Sequence, residues 1–171
     1  MEETDIQSRS VLLAEKLIRV LHSDSCSLAL AESCTGGLVA DFLTRVPGAS
    51  GVLWGSYVCY TPEAKVSMLN LDRERLARFG LVSRETVCDM AYGALERSGV
   101  NIAAAVTGLA GPDSDGSAAA VGTVWIAAAV KNKGIAAERE FHFAGSRNEI
   151  RLQAALAVLE TLSETALTKK G

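Results

Sequence analysis

The sequence predicts an α/β protein, a three-layer α/β/α sandwich around a mixed, mostly parallel sheet. Three observations carry this. Short apolar runs of strand length alternate with segments of helical period. The runs at 26–32 and 102–106 are apolar almost throughout, as in strands covered on both faces. Val121–Val130 and Ile135–Phe143 flank Lys131-Asn132-Lys133-Gly134, the pattern of an antiparallel hairpin.

The elements follow in order. Val11, Leu12, Ala14, Leu17, Ile18 and Leu21 give a helix over 8–22. Residues 26–32 form a buried strand, and 36–46 a helix ending near Pro47-Gly48. Val52–Tyr60, rich in β-branched and aromatic residues, forms a second strand. Pro62 opens a short helix to about Asn70, and another covers 72–79, stopping at Gly80. Ser83 is placed to cap a helix running to Arg97. Ile102–Val106 is a third strand, followed by a Gly-, Asp- and Ser-rich loop over 108–118. The hairpin comes next. Its second strand sets Glu138, Glu140 and His142 on one face and Arg139, Phe141 and Phe143 on the other, as at a sheet edge. A long helix over 146–167 ends the chain.

One domain spanning 1–171 is expected, large enough to bury roughly 70% of its unfolded surface. The residues are 49% hydrophobic but only 5% aromatic, so small aliphatic side chains must pack helices closely on the sheet. The net charge is −3, with no basic stripe, which argues against a nucleic-acid partner. No stretch approaches the roughly 18 apolar residues of a membrane span, and the acidic start Met1-Glu2-Glu3-Thr4-Asp5 is unlike a signal peptide. Cys26, Cys34, Cys59 and Cys88 form no Cys-x-x-Cys pair, and the histidines are only His22 and His142. Neither a zinc site nor a disulfide framework is indicated; reduced thiols in a cytoplasmic protein are. The edge strand and alanine-rich helices offer apolar surface for a homo-oligomer, a dimer or trimer.

Ligands of such sheets sit beyond the carboxyl ends of the strands. Three polar segments occupy that position: 32–37, 60–65 and 107–116. In the first, Ser33 precedes Thr35-Gly36-Gly37 at a strand-to-helix junction. Unpaired N–H groups at a helix start can bind an anion or stabilise an oxyanion. Ser33 is either the helix cap or a nucleophile. A nucleophile needs a base, and no histidine fits a triad. A buried lysine of lowered pKa serves instead. Tyr60 and Lys65, five residues apart across a strand-to-helix turn, supply one, with the phenol passing a proton between serine and lysine. The alternative is a surface lysine and a half-buried tyrosine. Short-chain dehydrogenases also use tyrosine and lysine, but at a spacing of four and after a Gly-x-Gly turn, both absent here.

Cys34 is a rival nucleophile, its thiol lowered by the helix start, or else a small packed side chain. Thr107, Gly108, Ala110 and Gly111 let a ligand approach the backbone, with successive N–H groups as an anion nest. Asp113 and Asp115 read as solvated turn residues rather than metal ligands. Arg147 and Arg151, four apart on one helix face, are suited to hold a phosphate by forked hydrogen bonds, or to pair with Glu149 or solvent.

AESCTGG, GSYVCYTPEAK, TGLAGP, VGTVW and FAGSRNEIR occur in that order over nearly the whole chain. Together they resemble the CinA C-terminal domain family, whose stand-alone members are PncC-type nicotinamide mononucleotide amidohydrolases. The resemblance implies a three-layer α/β/α fold and hydrolysis of the carboxamide of nicotinamide mononucleotide to nicotinate mononucleotide and ammonia, with no metal or organic cofactor. It implies catalysis by Ser33, Tyr60 and Lys65. Substrate-binding candidates are Thr35, Gly36, Gly37, Thr107, Gly108, Ala110, Gly111, Arg147 and Arg151. Oxyanion donors are expected near Gly36 or Gly108. Pro62 stands where the family often has Asn, Thr107 and Leu109 where it often has Ser and Ile, and Ala119-Ala120 where it has Lys-Pro. The alternatives are a nucleotide-binding module of the same fold without turnover, and a competence or DNA-repair accessory protein.

Overall fold

The computed structural model describes residues 3–114 and 119–168. Helix α1 (Glu3–Ser23) buries Ile6, Ser10, Ala14, Leu17, Ile18 and Leu21, spaced three and four apart along one stripe. It starts earlier than the apolar period alone indicates, because Glu3 and Asp5 place negative charge in the first turn, where the helix dipole favours it. Strand β1 (Leu28–Glu32) leads to α2 (Leu38–Thr44). A single 3₁₀ turn, Ala49–Gly51, precedes β2 (Leu53–Val58).

Helix α3 (Pro62–Leu69) is capped by Thr61, which accepts from the Ala64 N–H, and α4 (Arg73–Phe79) by Asp72. Ser83 caps α5 (Arg84–Ser98) as expected, accepting from the Thr86 N–H at 3.1 Å. Strand β3 (Ile102–Gly108) runs two residues beyond the apolar run, because Thr107 and Gly108 pair with Trp125 and Val124 of β4 (Thr123–Val130). Strand β5 (Gly134–His142) and α6 (Arg147–Thr168) complete the chain.

The sheet order is β2-β1-β3-β4-β5. β1 is parallel to β2 and β3, while β4 is antiparallel to both β3 and β5. Four strands therefore run one way and β4 the other, giving a mixed sheet with two parallel and two antiparallel pairs. The two faces differ in side-chain size. Leu28, Leu30, Ile102, Val106, Val124 and Ile126 face α1, α2 and α6. Ala29, Ala31, Ala103, Ala105, Ala127 and Ala129 face α5. Strand alternation puts large residues on one side and alanines on the other, so α5 lies close to the sheet. Gly93 of α5 in turn lets α3 sit close, since a Cβ there would collide with the Leu69 carbonyl at the end of α3. This packing sinks α3, and Lys65 with it, toward the carboxyl ends of β1 and β3. No helix among the described residues is long and apolar enough to cross a membrane.

Candidate active site

The turn from β1 into α2 is organised by Glu32, a residue that sequence reasoning did not single out. Its side chain is buried, at 1% exposure. One carboxylate oxygen accepts from Thr35 Oγ1 (2.8 Å) and the Gly37 and Val39 N–H groups (both 3.1 Å). The other accepts from the Ala40 N–H and Ser56 Oγ, both at 3.0 Å. Gly37 occupies the N-cap position in a left-handed conformation, and a glycine has no side chain to cap with. Glu32 supplies the missing acceptor from the preceding strand. A buried carboxylate ending an otherwise apolar strand was the available signal, because such a charge demands converging donors.

Because Glu32 caps α2, the Ser33 hydroxyl caps no N–H among the described residues. It accepts a hydrogen bond from Lys65 Nζ at 2.8 Å. The Ser33 N–H donates to Val106 O of β3 at 3.0 Å, which anchors the turn across the sheet. Lys65 lies at 1% exposure, and its Nζ also donates to Cys59 O at 2.8 Å. Burial pushes its ammonium pKa below the ordinary lysine value, because a charged amine loses its hydration there. It is thus a buried amine in direct contact with the serine, rather than a surface lysine.

Tyr60 lies elsewhere than between these two groups. Its ring is 55% exposed, and its phenol oxygen accepts from Arg147 at 2.7 Å. Arg147 also donates to Gly111 O, so it bridges the β2–α3 turn and the β3–β4 loop. Arg151, on the same helix face, does something different. Its guanidinium donates to Cys34 O (3.2 Å), Thr35 O (2.9 Å) and Asn148 Oδ1 (3.3 Å), pinning the β1–α2 turn. Glu149 pairs with neither arginine; it accepts from the Ser146 N–H at 2.7 Å at the start of α6.

A thiol at a helix start is lowered when the terminus faces it, and a packed one is not. Burial pushes the Cys34 thiol up to about 12, outweighing the nearby Lys65 charge, and the helix terminus that would have favoured a thiolate is taken by Glu32. His142 sits on β5 beside Thr123 and Glu140. Thr35 is fully buried, with its hydroxyl on Glu32. The Gly36 N–H, an expected oxyanion donor, is engaged by Ser33 O, and the neighbouring Gly37 N–H donates to Glu32. The N–H groups of Cys34 and Thr35 face the Cys34 sulfur instead of a backbone or carboxylate acceptor.

Thr107 Oγ1 donates to Leu81 O at 2.8 Å, tying β3 to the α4–α5 link. Gly108 is needed for the approach of β4: a Cβ there would lie 2.7 Å from Val124 Cγ2 and 2.8 Å from Thr123 O. Asp113 is exposed, and Asp115 lies outside the described residues.

Ser33, Cys34 and Lys65 reach a cleft of about 210 Å³. Leu81, Val82, Leu109 and Ala110 give it an apolar lining, and Tyr60 and Arg147 stand at its exposed end. Leu81 and Val82 were not anticipated, because they fall in the short link before the Ser83 cap. A roomier groove of about 630 Å³ runs past Asn70, Arg75 and Arg97, but its Arg75 pairs with Asp89 at 3.0 Å and it contains no buried nucleophile.

The model of the CinA C-terminal domain family matches residues 11–166. A CinA-like protein of Syntrophomonas wolfei is 43% identical over 135 residues, which is 79% of this chain and 32% of that protein. This chain thus spans about a third of the length of such relatives. The nicotinamide-nucleotide amidohydrolase PncC of Escherichia coli K12 is 38% identical over 156 residues, covering 91% of this chain and 93% of PncC. The crystal structure of the competence/damage inducible protein CihA from Agrobacterium tumefaciens superimposes with a TM-score of 0.88 at 39% identity, over 92% of this chain and 95% of that one. With the family model spanning residues 11–166 and the fold and sequence of these relatives matched over nine-tenths of its length, the chain belongs to the CinA C-terminal domain family.

Proposed function

We propose that this protein is an amidohydrolase that converts nicotinamide mononucleotide to nicotinate mononucleotide and ammonia. The observation that carries the proposal is the 2.8 Å contact between Ser33 Oγ and a buried lysine of lowered pKa. A neutral Lys65 takes the hydroxyl proton as Ser33 Oγ attacks the carboxamide carbon. The N–H groups of Cys34 and Thr35, which face only the weakly accepting Cys34 sulfur, are the proposed donors to the resulting oxyanion; losing one such donor typically costs ~10²–10³ in rate. The tetrahedral adduct collapses, Lys65 returns its proton to the leaving nitrogen, and ammonia departs. Water then attacks the Ser33 acyl ester with Lys65 again as base, releasing nicotinate mononucleotide.

The apolar lining from Leu81, Val82, Leu109 and Ala110 suits a planar pyridine ring. Arg147 at the exposed end is the cation suited to the phosphate. Arg151, occupied by the nucleophile turn, supports catalysis by holding that turn. Tyr60 acts with Arg147 at the entrance. The name of the similar PncC protein supports the same substrate. Four free cysteines suit a reducing, cytoplasmic setting.

The test is ammonia release from nicotinamide mononucleotide, with nicotinamide riboside alongside. Wild type is expected to turn over the nucleotide, and Ser33→Ala to lose at least about 10³-fold in kcat. Ser33→Ala activity near that of wild type would refute the nucleophile assignment. Equal kcat/KM on the riboside would refute the phosphate role of Arg147.

A further inference from the structure

We propose that Glu32 is a positioning residue whose buried carboxylate sets Ser33 Oγ against Lys65 Nζ, and so governs the chemical step rather than substrate affinity. This rests on Ser33 being the nucleophile. Five donors converge on the carboxylate from three separate pieces of chain: the turn (Thr35, Gly37), helix α2 (Val39, Ala40) and strand β2 (Ser56). A buried charge held this way fixes the relative positions of the pieces that hold it. Ser33 is the next residue in the chain, so its backbone is fixed with them.

The main chain of Glu32 reaches the other partner. Glu32 O accepts from the Cys59 N–H at 2.9 Å, and Cys59 O accepts from Lys65 Nζ at 2.8 Å. The serine and the lysine are therefore referenced to one residue, by its side chain on one side and its carbonyl on the other. Capping α2 from the strand also leaves the Ser33 hydroxyl free. At 1% exposure, Glu32 does not line the cleft and has no route to the substrate.

Glutamine is nearly isosteric but offers one acceptor oxygen where the carboxylate offers two, and its NH₂ would face backbone N–H donors. Glu32→Gln should therefore loosen the turn while leaving the cleft lining intact. Thr35→Val removes a single donor from the same network.

The experiment compares wild type, Glu32→Gln, Thr35→Val and Ser33→Ala. Ammonia release from nicotinamide mononucleotide gives kcat and KM. Mass spectrometry follows modification of Ser33 by phenylmethylsulfonyl fluoride. That reaction forms the Oγ–S bond and expels fluoride, with the hydroxyl proton passing to Lys65, so it reports the Ser33–Lys65 pair without substrate. Circular dichroism melts establish that each variant is folded. Folded Glu32→Gln is expected to lose about 10²-fold in both kcat and labelling rate, with KM little changed. Thr35→Val should lose about tenfold in both, as for one hydrogen bond to a charged group.

Folded Glu32→Gln with wild-type kcat and labelling overturns the proposal, and so does a loss confined to KM. If Glu32→Gln does not fold, Thr35→Val decides alone, and wild-type labelling and kcat in that variant overturn the proposal. Label persisting in Ser33→Ala would instead refute Ser33 as the reactive group, an outcome separate from any result at Glu32.

Discussion

Replacing Lys65 by methionine tests the proposed chemistry most directly. Methionine keeps the length and apolar character of the buried stem and removes only the amine. Among the described residues, Lys65 is the titratable group whose polar atom bonds Ser33 Oγ, at 2.8 Å. No second base stands ready, so the loss in kcat should fall toward the upper part of the 10²–10⁴-fold range typical of general-base catalysis. At about 1.36 kcal/mol per decade, that is roughly 4–5.5 kcal/mol of barrier. Lys65→Arg separates proton transfer from charge, because a guanidinium retains the charge but cannot lose its proton; it too should be inactive.

The pH dependence has a definite sign. In the proposed reaction the active form is the neutral amine, and burial lowers its pKa from 10.5. Activity of wild type should therefore rise with pH through the lowered value and then level off. Stability follows the same direction. Between the folded-state pKa and 10.5 the unfolded chain binds more protons, so unfolding becomes less favourable as pH rises across that window. Below the folded-state pKa the full cost of burying the charge is present. Lys65→Met should abolish this contribution. The assay is ammonia release across pH 6–10, with urea unfolding at the same pH values. Lys65→Met within about tenfold of wild type, an active Lys65→Arg, or activity that falls across the window would each refute a neutral Lys65 as base.

Two further substitutions test the neighbours. Tyr60→Phe should change kcat by less than about fivefold and act mainly on KM, because the phenol bonds Arg147 rather than Ser33 or Lys65; a kcat loss beyond about 100-fold would reinstate a phenol relay. Cys34→Ala should keep kcat within about fivefold and lose about 1 kcal/mol of stability from the emptied thiol site, measured by ammonia release and urea unfolding, and a loss of activity beyond about 100-fold would make the thiol more than packing.

Much of the fold was legible because it rests on local chemistry. Ser83 announces α5, Pro62 opens α3, and the uninterrupted apolar runs mark β1 and β3 as strands covered on both faces. The ends of elements were less legible where pairing decides them, as at Thr107 and Gly108, which become strand only because β4 lies beside them. Ser33 and Lys65 were legible as residue types at neighbouring strand ends. Their direct contact was not. It depends on how deeply α3 sinks, which is set by Gly93 on α5 accepting the Leu69 carbonyl and by an alanine face on the sheet. Nothing between Tyr60 and Lys65 encodes that depth, so a phenol relay and a direct contact looked alike in sequence.

The β1–α2 junction shows how a sound general rule fails for a specific reason. A helix start preceded by glycines offers free N–H groups, and such groups attract anions. Here the chain supplies the anion itself, from Glu32, five residues before the Gly37 cap and in a different element. Cap patterns that search the residues next to a helix start do not reach back into the preceding strand. Burial would have found it, because a carboxylate at 1% exposure is tolerated only where several donors converge, and the N–H groups of Gly37, Val39 and Ala40 are the donors within reach. The consequence bears on substrate placement. With its N–H groups occupied and its dipole matched by Glu32, the start of α2 has nothing left for a phosphate, and a second negative charge there would be repelled. In the proposed reaction this would direct an anionic substrate away from the α2 terminus toward Arg147 at the exposed end of the cleft and leave the carboxamide end for Ser33.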